Sequence, residues 1–183
     1  PRAELVVTGA EVEALRLSTE SGAYIVIVGT LYFSDSKLIG WNETKSEPMW
    51  AEYKDKRNIR PFLTGWSQSE MFIGNSELVT LGYANGKSYG LSYSAGPNVW
   101  FKYGNDAHSQ RPTATIVASS FNNTLYGFYS YEADDVIISG NEYVDNIVYG
   151  VDPHDRSLRL AIGYNTAYDT HKKHGIIISR EVS

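Results

Sequence analysis

Cysteine is absent from the 183 residues, so no disulfide can staple the fold and no thiol can act as nucleophile or soft metal ligand. An excess of basic charge is missing too. Sixteen Lys and Arg stand against 21 Asp and Glu, for a net charge of −5 and a pI near 5.4, which excludes the cationic stripe that nucleic acid requires. Long apolar runs are lacking: the longest, 24–28, is far too short for a transmembrane segment. The chain opens on Pro1 without a charged start and apolar stretch, and reads as mature or never targeted. A soluble protein is expected, cytoplasmic or secreted without disulfides. Helical periodicity is also scarce, and little helix is expected.

What the chain has in quantity is tyrosine, with 14 Tyr, 4 Trp and 16 Gly. Short apolar and aromatic runs are separated by Gly, Asn, Asp and Pro every eight to twelve residues or so, which is the pattern of many short strands. The clearest stretch is 78–103, LVTLGYANGKSYGLSYSAGPNVWFKY. Asn85-Gly86 suits a two-residue type I′ turn, because both positions tolerate positive φ, and Gly96-Pro97 turns the chain again. A three-stranded antiparallel meander follows, and Gly140-Asn141 marks a second hairpin. The fold expected is all-β: a single domain over 1–183 of about ten antiparallel strands, arranged as a sandwich, jelly roll, prism or barrel. The segment 34–70 carries six acidic and six basic residues and three of the four Trp, and reads as a charged, Trp-rich connection. Trp41, Trp50 and Trp66 are packing residues or ligand platforms.

Two motifs in the first hairpin fail on context. Gly86-Lys87-Ser88-Tyr89-Gly90 fits a nucleophile elbow, but no helix follows the serine. Gly82-Tyr83-Ala84-Asn85-Gly86-Lys87-Ser88 is one residue short of a phosphate-binding loop. Asp152-Pro153-His154-Asp155 reads as a turn.

Hydrogen-bonding and aromatic side chains concentrate in two loops. One holds Asn98, Trp100, Tyr103, Asn105 and Asp106; the other holds Tyr164, Asn165, Tyr168 and Asp169. Planar amides and carboxylates meet pairs of hydroxyls, and aromatic faces cover sugar rings, so these nine are the candidate ligand-binding residues. His171 and His174 are weak candidates for a metal, since no further ligands follow at a fixed spacing. The function expected is a non-enzymatic, lectin-like carbohydrate-binding protein without cofactor, its partners glycans or glycoconjugates and homo-oligomerisation open. The alternatives are a membrane-binding or pore-forming β-toxin and a structural, adhesin or capsid-type interaction domain.

Overall fold

A computed structural model describes residues 3–95 and 111–183. The chain winds in successive coils. The first coil is β1 (Glu4–Thr8), β2 (Ala14–Ser18) and β3 (Ile25–Ile27). The second is β4 (Thr30–Ser34), β5 (Lys37–Asn42), the short β6 (Glu47–Pro48), a 3-10 turn at Tyr53–Asp55 and β7 (Leu63–Trp66). Then come β8 (Glu70–Gly74), β9 (Glu77–Val79) and β10 (Gly90–Ser94), followed by β11 (Thr113–Val117), β12 (Ser120–Asn122) and β13 (Tyr126–Tyr131). The fifth coil is β14 (Asp134–Ser139), β15 (Glu142–Val144) and β16 (Tyr149–His154), and a partial coil adds β17 (Leu158–Gly163) and β18 (Thr166–Tyr168).

Corresponding strands of successive coils pair in parallel, giving three sheets in the orders β1-β4-β8-β11-β14-β17, β2-β5-β9-β12-β15-β18 and β3-β7-β10-β13-β16. Only β6, against β5, is antiparallel among the described strands. The architecture is a parallel β-helix, and this corrects the antiparallel sandwich, jelly roll, prism or barrel expected from the sequence. The reason is local. Residues with positive φ, among them Gly140 of the expected second hairpin, serve at corners, where the chain bends into the next sheet without reversing. Asp35, Asn75, Ala118, Gly140 and Tyr164 occupy one corner, with φ of 55, 48, 49, 67 and 56°. Thr80, Asn123, Asp145 and Asp169 occupy the next, with φ of 55, 50, 55 and 53°. The expected hairpin of 78–93 is β9, a loop through Asn85-Gly86 and β10, with the two strands in different sheets. The third strand of that meander, 99–103, lies outside the described residues. The expected hairpin at Gly140-Asn141 is the corner between β14 and β15.

In-register stacking builds the core, because each coil places the same face of each strand inward. Leu31, Met71, Ala114, Val136 and Leu160 form one column, and Phe33, Ile73, Ile116, Ile138 and Ile162 the next. From the second sheet Leu38, Leu78, Phe121 and Tyr143 point in against them, with the Phe121 and Tyr143 rings stacked at 4.8 Å. Polar groups at the first corner form a ladder. The amide of Ser36 donates to Ser76 Oγ (3.3 Å), that of Ser76 to Ser119 Oγ (3.1 Å), that of Ser119 to Asn141 Oδ1 (3.0 Å) and that of Asn141 to Asn165 Oδ1 (3.0 Å). Buried amides at the bends are thereby paired, as burial demands.

The segment 34–70 departs from the regular coil only within 43–62. Arg60, 2% exposed, holds that insertion down by donating to the carbonyls of Gly82 (2.8 Å), Asn123 (2.9 Å) and Leu81 (3.2 Å). Burial lowers its pKa to about 10. Trp41 packs under the Arg16 guanidinium, 4.1 Å from the ring centre. Trp50 and Trp66 are about half exposed, at 51% and 48%.

Candidate active site on the third sheet

The sequences of β13, YGFYSY, and β16, YGVDPH, are paired in register, with Tyr126 beside Tyr149, Phe128 beside Val151, Tyr129 beside Asp152 and Tyr131 beside His154. Phe128 and Val151 are fully buried in the core. The opposite face carries the ionisable and aromatic side chains. Tyr126 meets Tyr149 edge-on at 5.0 Å, Tyr89 stacks on Tyr126 at 4.7 Å, and the Tyr129 ring lies 5.7 Å from the imidazole of His154.

Around His154 the charges form a short relay. Nδ1 of His154 is 2.7 Å from Asp155 Oδ2, and Asp155 Oδ1 is 3.8 Å from Arg180 Nη1. A carboxylate only accepts, so Nδ1 carries a proton in this pairing and Nε2 is the ring nitrogen that Asp155 leaves open. Asp152 is 4% exposed. Burial raises its pKa above the usual carboxylate range, against the pull of the Ser179 hydroxyl, which donates to Oδ1 at 3.0 Å. Burial also raises the phenols of Tyr126, Tyr129 and Tyr149, so all three stay protonated at neutral pH. Beside them Arg156 donates through Nε to Glu132 Oε1 (2.9 Å) and through Nη2 to the Tyr131 hydroxyl (3.2 Å). A base, a carboxyl biased toward its neutral form, protonated phenols and cations on one sheet face amount to acid–base machinery.

Of the residues expected to bind ligand, the four that are described lie at the corners between sheets. Asn98, Trp100, Tyr103, Asn105 and Asp106 fall outside the described residues. Tyr164 sits at the first corner, 95% exposed. Asn165, beside it, is committed to the ladder, its Nδ2 donating to the Ile138 carbonyl at 2.9 Å. At the second corner Tyr168 donates to Glu142 (2.9 Å), and Asp169 takes the positive-φ position. His171 and His174 part company: His171 Nε2 is 2.6 Å from Asp145 Oδ1, while His174 stacks against Tyr149 at 6.2 Å. No group of three or more His, Asp or Glu able to hold a metal is found among the described residues. His174 alone of this loop's candidates contacts the third-sheet constellation. The sequence reading missed His154 and its neighbours; the available signal was a histidine between two aspartates, following Tyr149-Gly150, in a chain whose other Tyr-rich strand has the same Tyr-Gly opening.

No family model matches the sequence. Over 176 residues, 94% of this chain, it is 47% identical to the mannuronan C5-epimerase of Pseudomonas aeruginosa. It is 44% identical over 179 residues to the mannuronan C5-epimerase AlgG of Azotobacter vinelandii. These relatives are enzymes. Among solved structures, the periplasmic alginate epimerase AlgG matches 99% of this chain with a TM-score of 0.87 and 39% identity. The chain spans about a third of the curated relatives' length (31% and 32%) and 43% of the AlgG crystal chain. The expectation of a non-enzymatic lectin that displays glycans or glycoconjugates on loops is overturned by these relatives, as are the toxin and the adhesin or capsid alternatives. Carbohydrate survives only as the class of molecule their names point to. No helix among the described residues is long and apolar enough to cross a membrane.

Proposed function

We propose that this chain forms the catalytic part of a periplasmic mannuronan C5-epimerase, acting on a polymer of uronate residues, and that residues 1–183 belong to one solenoid unit. The observation that carries the reading is the grouping of Tyr129, Asp152 and the His154–Asp155 pair on adjacent strands of one sheet face. Inversion at C5 requires a C–H bond next to a carboxylate to break and re-form on the other face. The carboxylate's charge opposes that step, and an enzyme must neutralise it.

Each group has a role its surroundings support. His154 Nε2, the ring nitrogen left open by the Nδ1–Asp155 contact, takes the C5 proton from the substrate, and the Asp155 carboxylate stabilises the imidazolium that forms. Asp152, biased toward its neutral form by burial, donates a hydrogen bond to the substrate carboxylate, and Arg180 and Arg156 add positive charge beside it. Negative charge spreads from C5 into the carboxyl group as the C–H bond breaks. The phenols of Tyr129 and Tyr149 are the protonated groups able to return a proton to the opposite face. His154 then loses its proton to water, and the phenol regains one from water, which restores both.

The test is incubation with polymannuronate in deuterated water, followed by NMR at C5. Epimerised residues carrying solvent deuterium are expected, and His154→Gln should slow their appearance by about 10²–10⁴-fold, the usual contribution of a general base. Wild-type rates in that variant would overturn the assignment. Accumulation of unsaturated chain ends in place of epimers would point to elimination.

A further inference from the structure

Lys87 is held in an unusual way. It follows Gly86 in the loop between β9 and β10 with a φ of 71°, a left-handed conformation that costs a residue with a side chain about 1–2 kcal/mol. Unlike the corner residues, it does not recur from coil to coil. The loop is tied down by Ser92, whose hydroxyl donates to the Lys87 carbonyl at 2.7 Å. Nζ donates to Ser94 Oγ at 2.9 Å and lies 3.4 Å from the centre of the Tyr131 ring. Both of these partners are uncharged. Partial burial lowers the pKa of the ammonium, while Glu132 and Asp155, acting at longer range, raise it. A partly desolvated ammonium with one donor position on a hydroxyl and one face on a ring retains capacity for an anion.

Its place in the sheet says which anion. His154, Tyr131, Ser94 and Trp66 are register partners on β16, β13, β10 and β7, so they form a row along the solenoid axis with strand spacings of about 4.8 Å. Trp66, 48% exposed, ends that row about 14 Å from the His154 strand, at three strand spacings. Lys87 stands over the row between them.

We propose that Lys87 binds the carboxylate of a uronate unit remote from the one undergoing inversion, and that Trp66 stacks on the polymer beyond it. The polymer then runs along the axis from the His154 strand toward the first coil. This rests on the epimerase reading for the position of the reacting unit. Lys87 and Trp66 thus set the length of substrate the enzyme needs.

The test uses polymannuronate and oligomannuronates of increasing length with wild-type, Lys87→Gln, Lys87→Arg and Trp66→Ala proteins. Lys87→Gln is expected to raise KM on long substrates by roughly tenfold with kcat nearly unchanged. Lys87→Arg should recover much of that loss, and the wild-type advantage should vanish on oligomers too short to reach the site. An unchanged KM, or a loss independent of substrate length, would overturn the proposal. Binding by calorimetry separates this from the function itself: a wild-type protein that binds polymannuronate without epimerising it sinks the epimerase reading, while the Lys87→Gln loss in affinity still supports the subsite. Equal affinity for a neutral mannan would overturn it.

Discussion

Asp152 carries opposed demands in one side chain. Its carboxyl is nearly excluded from water, and burial raises its pKa. Below the usual carboxylate pKa it is protonated in both folded and unfolded states and contributes nothing to the pH dependence. Between the usual and the raised value the folded state holds more proton than the unfolded one, so stability falls as pH rises through that window. Above it the full cost of a buried carboxylate is present. Asp152→Asn is therefore expected to reduce epimerisation and to raise Tm most at pH above the raised pKa, the gap in Tm closing as the pH drops below the usual carboxylate range; a Tm difference that does not grow with pH would count against a desolvated carboxylate. This trade of stability for reactivity is what sequence alone did not disclose. Asp152, His154 and Asp155 were visible as a polar tetrapeptide with proline, which turns also use. What separates a turn from a site is the neighbour across the strand pair, Tyr129, which precedes Asp152 by a whole coil. Asn165 shows the converse case, since an amide rich in hydrogen-bonding capacity, and expected as a ligand contact, is engaged by the adjacent coil.

At the level of elements, the strands were legible and their partners were not. Alternation marks Leu158, Leu160 and Ile162 as one face, and Leu160 and Ile162 do pack against the core. Pairing went wrong at Gly140-Asn141 because Gly140 has a positive φ, 67°, and a positive φ serves a solenoid corner as well as a reversal. The ladder is what fixes the corners. Asn141 accepts from the Ser119 amide and donates to the Ile116 carbonyl at 2.9 Å, so Asn141→Ala would leave two buried backbone groups unpaired. We expect a loss of about 2–3 kcal/mol, read from the urea midpoint at unchanged m-value; a loss under about half a kcal/mol would mean that water substitutes for the amide. Gly150, inside β16, makes a stricter demand. A Cβ there would stand 2.3 Å from the Gly175 carbonyl oxygen and 3.0 Å from Tyr143 Cβ, so Gly150→Ala must displace either the closing segment or the strand that presents Asp152 and His154. Epimerisation should fall at least tenfold even where the protein remains folded by circular dichroism, the tenfold corresponding to about 1.4 kcal/mol of lost transition-state stabilisation.

Across the whole molecule, stability is a sum over coils and the contacts between them. The repeat escaped the sequence reading because the second coil carries the insertion 43–62 and the chain between β10 and β11 is long, so the coils do not recur at one period. The same uneven stacking predicts uneven rigidity. β8 is paired on both sides, by β4 and β11, whereas β1 is paired only with β4 and β17 only with β14 among the described strands. Burial follows suit: Ile73, Leu78 and Leu91 are 0% exposed, while Val7, Leu17 and Ile27 retain 7%, 8% and 6%. Hydrogen exchange of the native protein should therefore be slowest in the amides of 70–94 and 113–154, opening only with global unfolding, and faster by sub-global opening in 4–27 and 158–183. The consequence for chemistry is direct, since Asp152 and His154 lie in the slowly exchanging block while Arg180 and Ser179 lie in the faster one. A ligand that bridges the two, as the proposed uronate does between His154 and Arg180, should protect 176–183 on binding and leave 4–27 unchanged. Uniform exchange along the chain, or protection of the first coil alone, would contradict that arrangement.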